Sequence, residues 1–157
     1  MSDIKLELGK TTDTILIVED EVLIRLVLAQ YLRDCGYRVI EAAHADEALL
    51  VLRKSEIEID VVFTDVEIPG SMDGFALAHW VRSNRPGMEV MLAGSVSRAV
   101  QAASDLCDQQ NNVPKPYDPQ NVHDRIRRLL ASRRPRKSDV DLQSALEQAT
   151  SLGSSVQ

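Results

Sequence analysis

Short runs of apolar residues alternate along the chain with amphipathic stretches. Ile15-Leu16-Ile17-Val18 is apolar at every position, and Val61-Val62-Phe63 runs likewise into Thr64 and Asp65. Uninterrupted apolar runs this short predict strands buried on both faces. Tyr37–Glu41 alternates weakly, as an outer strand does, and Glu89–Ala93 adds a fourth strand through Val90, Met91 and Leu92. Gln109–Val113 is the place for a fifth, in spite of the poor strand propensity of Gln109-Gln110-Asn111-Asn112.

Helical periodicity fills the intervals. Val22–Cys35 predicts a helix with Val22, Leu23, Leu26, Val27, Ala29 and Leu32 inward, Arg25, Gln30 and Arg33 opposite, and Gly36 as its left-handed cap. Asp46–Lys54 turns Ala48, Leu49 and Leu52 inward, and Gly74–Asn84 does the same with Leu77, Ala78 and Val81. Ser97–Cys107 reads as a fourth helix. Asp118-Pro119 is a cap and first-turn pair opening a fifth, with Val122, Ile126, Leu129 and Leu130 inward.

Strand–helix repeated in this way makes an α/β fold, a doubly wound five-stranded parallel sheet of order 2-1-3-4-5. It occupies residues 14–131. Residues 1–13 read as a polar lead-in. Residues 132–157 form a tail, with a basic knot at Arg133, Arg134, Arg136 and Lys137 and an amphipathic helical pattern at Ser138–Ala149. The knot reads as a solvated helix end or, as a second reading, a docking site for an acidic partner.

Composition narrows the function. Of 157 residues, 44% are hydrophobic and 27% charged, as in ordinary globular proteins. A formal net charge of −6 argues against a general nucleic-acid binder. Cys35 and Cys107 make no disulfide framework. No apolar run approaches a membrane span, so a cytoplasmic setting without membrane insertion is expected. His44, His79 and His123 lack ligand spacing and read as surface or helix residues. Trp80 reads as a half-buried cover on its helix.

The chemistry collects at strand ends. Glu19 and Asp20 close the first strand and Asp65 closes the third, and in this sheet order those two strands are neighbours at the switch point. Carboxylates crowded into one mouth repel each other. Unit charges about 4 Å apart cost roughly 4 kcal/mol at an effective dielectric of 20. A hard dication relieves this, and an all-oxygen donor set suits Mg²⁺. Lys115, at the end of the expected fifth strand, brings a further positive charge to the same rim.

Glu19-Asp20 after Ile-Leu-Ile-Val, Asp65 within Phe-Thr-Asp-Val-Glu-Ile-Pro-Gly-Ser-Met-Asp-Gly, and Lys115-Pro116 together resemble the receiver domains of two-component response regulators. The resemblance covers roughly Thr14–Ala131 and implies the flavodoxin-like receiver fold. It implies a single-domain, Mg²⁺-dependent phosphoacceptor. Asp65 would take a phosphoryl group from a histidine kinase or phosphotransfer protein. Glu19, Asp20, Asp65 and the backbone carbonyl of Glu67 would hold the metal, and Lys115 would contact the phosphoryl oxygens. Such a domain is a signalling switch rather than an enzyme. Its output would be contact with a downstream protein, or drainage of phosphate from a kinase, with a dimer allowed and nucleic acid not expected.

Two positions depart from the family pattern. The family's hydroxyl at the end of the fourth strand falls on Gly94, with Ser95 next. Either Ser95 takes that role after a one-residue loop adjustment, or the hydroxyl is missing. The family's aromatic switch position, three residues before the lysine, is Asn112. Tyr117 gives a Lys-Pro-Tyr sequence whose ring either packs or gates. These departures favour an alternative, a pseudo-receiver that binds partners without phosphorylation. A third reading, a small-molecule phosphohydrolase, has Glu67 two residues after Asp65 as an acid–base group but nothing resembling a substrate cap.

Overall fold

The computed structural model describes residues 12–94, 117–133 and 144–149, together with the backbone of 112–113. Five strands, β1 (Thr14–Val18), β2 (Arg38–Ala42), β3 (Val61–Asp65), β4 (Glu89–Ala93) and β5 (Asn112–Val113), form one sheet of order β2-β1-β3-β4-β5. Every pairing is parallel. The helices α1 (Val22–Asp34), α2 (Ala45–Leu52), α3 (Gly74–Asn84) and α4 (Pro119–Ser132) lie between and after them.

The strand pleat sorts the core into two layers. Leu16, Val18, Val62 and Val90 pack with α2 and α3 through Leu49, Leu52, Leu77 and Val81. Ile15, Ile17, Phe63 and Met91 face the other way, onto Leu28 and Leu32 of α1 and Val122 and Ile126 of α4. Alternate residues of one strand therefore serve opposite layers. All five residues of β1 and all five of β3 are buried. Each fully buried aliphatic side chain contributes about 1.5–3 kcal/mol, so these two central strands hold their ends firmly in place.

The expected strands and helices within the described residues are present, with end shifts of a residue or two. Asp73 caps α3 by accepting from Ala76 N–H at 2.9 Å. Asp118 caps α4 by accepting from Gln120 N–H at 3.1 Å, with Pro119 in the first turn. His44 caps α2, its Nδ1 accepting from Glu47 N–H at 3.3 Å. Gly36, after α1, has φ +98°, the left-handed conformation expected there. Trp80 covers the α2–α3 layer, partly buried. Of the fifth strand, Asn112 and Val113 are described, with Leu92 opposite Asn112 and Ala93 opposite Val113. The helix expected at Ser97–Cys107 lies outside the described residues. In the tail, residues 144–149 are helical and exposed.

Two expectations are overturned. The inward face of α1 is not Val22, Leu23, Leu26 and Val27, which are 56%, 78%, 49% and 60% exposed. Ala29 and Leu32 are buried as expected, and Leu28, outside the expected face, is buried with them. Arg25, expected outside, lies with them and donates from Nη1 to the Glu19 carbonyl at 2.7 Å. The second correction concerns Arg133. It is not a solvated helix end: its guanidinium pairs with the buried Asp60 and, at 3.0 Å, with Asp13.

Candidate phosphoryl-acceptor site

Residues leaving β1 and β3 build the site. The register sets Val18 beside Thr64, so Glu19 and Asp65 follow side by side at the carboxyl edge of the sheet. Glu19 N–H donates to the Ala42 carbonyl at the end of β2, at 3.1 Å, and this extends the ladder one residue past β1. Glu19 is fully buried, Asp65 is 2% exposed, and Asp20 faces solvent. One carboxylate oxygen from each of Glu19, Asp20 and Asp65 lies within 4.8 Å of the others. The sequence expectation that these three acids converge is met.

The backbone around them is fixed. Val66 N–H donates to the Ala93 carbonyl at 2.7 Å, and Gly74 N–H to the Val66 carbonyl at 2.9 Å. Asp65 Oδ1 accepts from Glu67 N–H at 3.1 Å, an Asx turn that sets the plane of the carboxylate. A Cβ on Gly74 would lie 2.1 Å from the Asp65 carbonyl oxygen, so only glycine lets α3 start so close to the end of β3. Asp46 clamps the loop further out, accepting from the Ser71 hydroxyl at 2.6 Å and from Ser71 N–H at 3.2 Å. These Ser71 donors hold the Asp46 carboxyl below the usual range.

Both oxygens of Glu19 are engaged. Oε1 accepts from Glu21 N–H at 3.0 Å, and Oε2 accepts from the Tyr117 hydroxyl at 2.9 Å. The Tyr117 ring stands edge-on to Phe63 of β3, with centroids 5.2 Å apart and planes at 90°. Burial, and then the charges of Glu19 and Asp65, push the Tyr117 phenol far above its ordinary value. It is a proton donor throughout the physiological range. Sequence reasoning left Tyr117 between packing and gating; the ring does pack, and the hydroxyl also enters the acidic cluster.

Gly94 stands where the family pattern asked for a hydroxyl. A Cβ there would lie 3.3 Å from Asp65 Oδ1, so position 94 adjoins the Asp65 carboxylate and carries no side chain. Its φ of +149° is one that L side chains rarely adopt. Lys115 and Ser95 lie outside the described residues, as does the side chain of Asn112. Glu67 is exposed and contributes its N–H as described.

The three-acid cluster fits a hard dication. The donors are all oxygen, two of the acids are held by burial and backbone hydrogen bonds, and the third opens to water.

A parallel sheet of this order with acids at the switch point defines a receiver-type α/β domain. The chain belongs to the response regulator receiver domain family, whose pattern it matches over residues 15–127. It is 32% identical over 126 residues to a probable transcriptional regulator ycf27 of Pyropia yezoensis, a match covering 75% of this chain and 47% of that protein. It is 30% identical over 118 residues to the sensor kinase CckA of Brucella abortus, covering 74% of this chain and 12% of the kinase. A response regulator receiver protein from Sinorhizobium medicae superposes with a TM-score of 0.70 at 26% identity, covering 80% of this chain and all of that one. The chain thus spans about half the length, or less, of these curated relatives. No described helix is long and apolar enough to cross a membrane.

Proposed function

We propose that Asp65 is the phosphoacceptor of a Mg²⁺-dependent switch, charged by a histidine kinase or a phosphotransfer protein. The observation that carries this is the convergence of the Glu19, Asp20 and Asp65 carboxylates within 4.8 Å at the switch point. Glu19, Asp20 and Asp65, with the carbonyl of Glu67, are the groups to hold the metal. The ion, when bound, offsets negative charge on the transferring phosphoryl group.

The chain's own residues do the rest. An Asp65 carboxylate oxygen attacks phosphorus in line as the P–N bond to the donor imidazole breaks. The imidazole leaves with the electron pair and takes up a proton, and an acyl phosphate remains on Asp65. Glu67 N–H keeps the nucleophile's plane fixed throughout. Lys115, two positions after β5 in the sequence, is the residue to supply a positive charge to the phosphoryl oxygens. Ser95, the residue after Gly94 in the sequence, is one candidate for a hydroxyl role. The chain promotes only its own phosphorylation and dephosphorylation. Output through protein contact or through phosphate drainage is part of this reading, and the exposed apolar residues of α1 beside the acids support a protein contact.

The experiment is intact-mass analysis after incubation with Mg²⁺ and a small phosphodonor. The wild type is expected to gain one phosphoryl group, and the Asp65→Asn protein none. Equal labelling of both, or none of the wild type, rejects the proposal. Gly94 favours a second reading, the pseudo-receiver, because the acceptor's neighbour carries no hydroxyl. That reading predicts acids that bind a dication and never a phosphoryl group.

A further inference from the structure

The acceptor site has a seat without a side chain and a hydroxyl arriving from another direction. Gly94 adjoins Asp65 and offers no donor. Tyr117, entering from the segment before α4, places its hydroxyl on Glu19, a member of the same cluster. Resting the proposal on the phosphoacceptor reading above, we propose that the Tyr117 hydroxyl is the side-chain hydroxyl partner of the phosphoryl group on Asp65, in the role that position 94 leaves vacant.

Three features support the assignment. First, an acyl phosphate on Asp65 projects its oxygens beyond the carboxylate, into the space framed by the three acids, and the Tyr117 hydroxyl sits at the edge of that frame. Second, the ring is anchored edge-on against Phe63, two residues before Asp65 on the same strand, so hydroxyl and acceptor share one rigid support. Third, the hydroxyl has one proton to give. In the resting form Glu19 Oε2 receives it. A phosphoryl group brings extra negative charge and three strong acceptor oxygens, and rotation about the C–O bond redirects the proton to one of them. Glu19 keeps its second donor, Glu21 N–H, on Oε1. The exchange of partners gives the domain a link from the acceptor to the start of α4 that does not depend on an aromatic at position 112.

Tyr117→Phe tests this in the full chain, since it keeps the ring against Phe63 and removes only the hydroxyl. Beryllofluoride is titrated at saturating Mg²⁺ and followed by calorimetry and ¹⁹F resonance, and Mg²⁺ affinity is measured separately without fluoride. The expected result is a loss of beryllofluoride affinity of about tenfold, as for one hydrogen bond to a charged acceptor. One bound-fluoride line should also shift, and Glu56→Gln, at an exposed acid outside the cluster, should change neither quantity. A Tyr117→Phe protein that binds beryllofluoride within about twofold of wild type, with unshifted fluoride lines, overturns the inference and leaves the phosphoacceptor reading standing. Loss in Ser95→Ala with none in Tyr117→Phe overturns it too. Failure of the wild type itself to bind beryllofluoride rejects both readings together.

Discussion

Arg133 closes onto Asp60 at the edge of the sheet opposite the acidic cluster. Asp60 is 2% exposed and accepts from Thr14 N–H at 2.7 Å through its other oxygen. One carboxylate therefore ties the start of β1 to the residue that follows α4. Removing the guanidinium while leaving the buried carboxylate is costly. Arg133→Met is expected to destabilise the domain by about 2–3 kcal/mol, below the full range for a buried pair because Arg133 is partly exposed. Urea denaturation measures this, and Asp60→Asn in the same background should restore part of the loss.

Gly74 makes the sharpest steric prediction. An alanine methyl there would fall on the backbone of Asp65 and Val66, none of which can rotate away. Gly74→Ala should cost about 3 kcal/mol or more and displace Asp65. Gly87→Ala, where a Cβ meets nothing within 4 Å, should stay within about 0.5 kcal/mol of wild type. Parallel urea curves check the pair.

Asp46 carries a pH signature. Its carboxyl is lowered by the Ser71 hydroxyl and N–H, so the folded state favours the charged form. The resulting stability is fully present above the unfolded value, about pH 3.9, and is lost as pH falls through the lower folded value. Melting temperatures followed from pH 6 down to pH 2.5 should therefore fall less steeply in Ser71→Ala than in wild type.

The dication prediction separates the acids by role. Asp20→Asn should weaken Mg²⁺ binding by about tenfold or more in calorimetric titration. Glu56→Gln, an exposed acid outside the cluster, should leave Mg²⁺ binding unchanged.

Much of the fold was legible because local signals agreed. The run Ile15–Val18 could only be a buried strand, and Leu77, Ala78 and Val81 marked one face of α3. Asp118-Pro119 announced the start of α4. The acids were legible because each ends such a strand, and neighbouring strand ends meet. The face of α1 was not legible. Its sequence from Val22 to Leu32 is apolar nearly all round, so two stripes compete, and only the position of the sheet selects Leu28, Ala29 and Leu32. The Arg133–Asp60 pair spans 73 positions, and no local pattern records such a contact. The direction of the Tyr117 hydroxyl depends on how its ring meets Phe63, which spacing does not encode.

The outward ridge of Val22, Leu23, Leu26 and Val27 begins one residue after Glu21. Contacts made through such a surface weaken on cooling and tighten in ammonium sulfate, whereas contacts made through carboxylates fade as any salt is added. Grip through the ridge and grip through the acids should thus respond to sulfate with opposite sign.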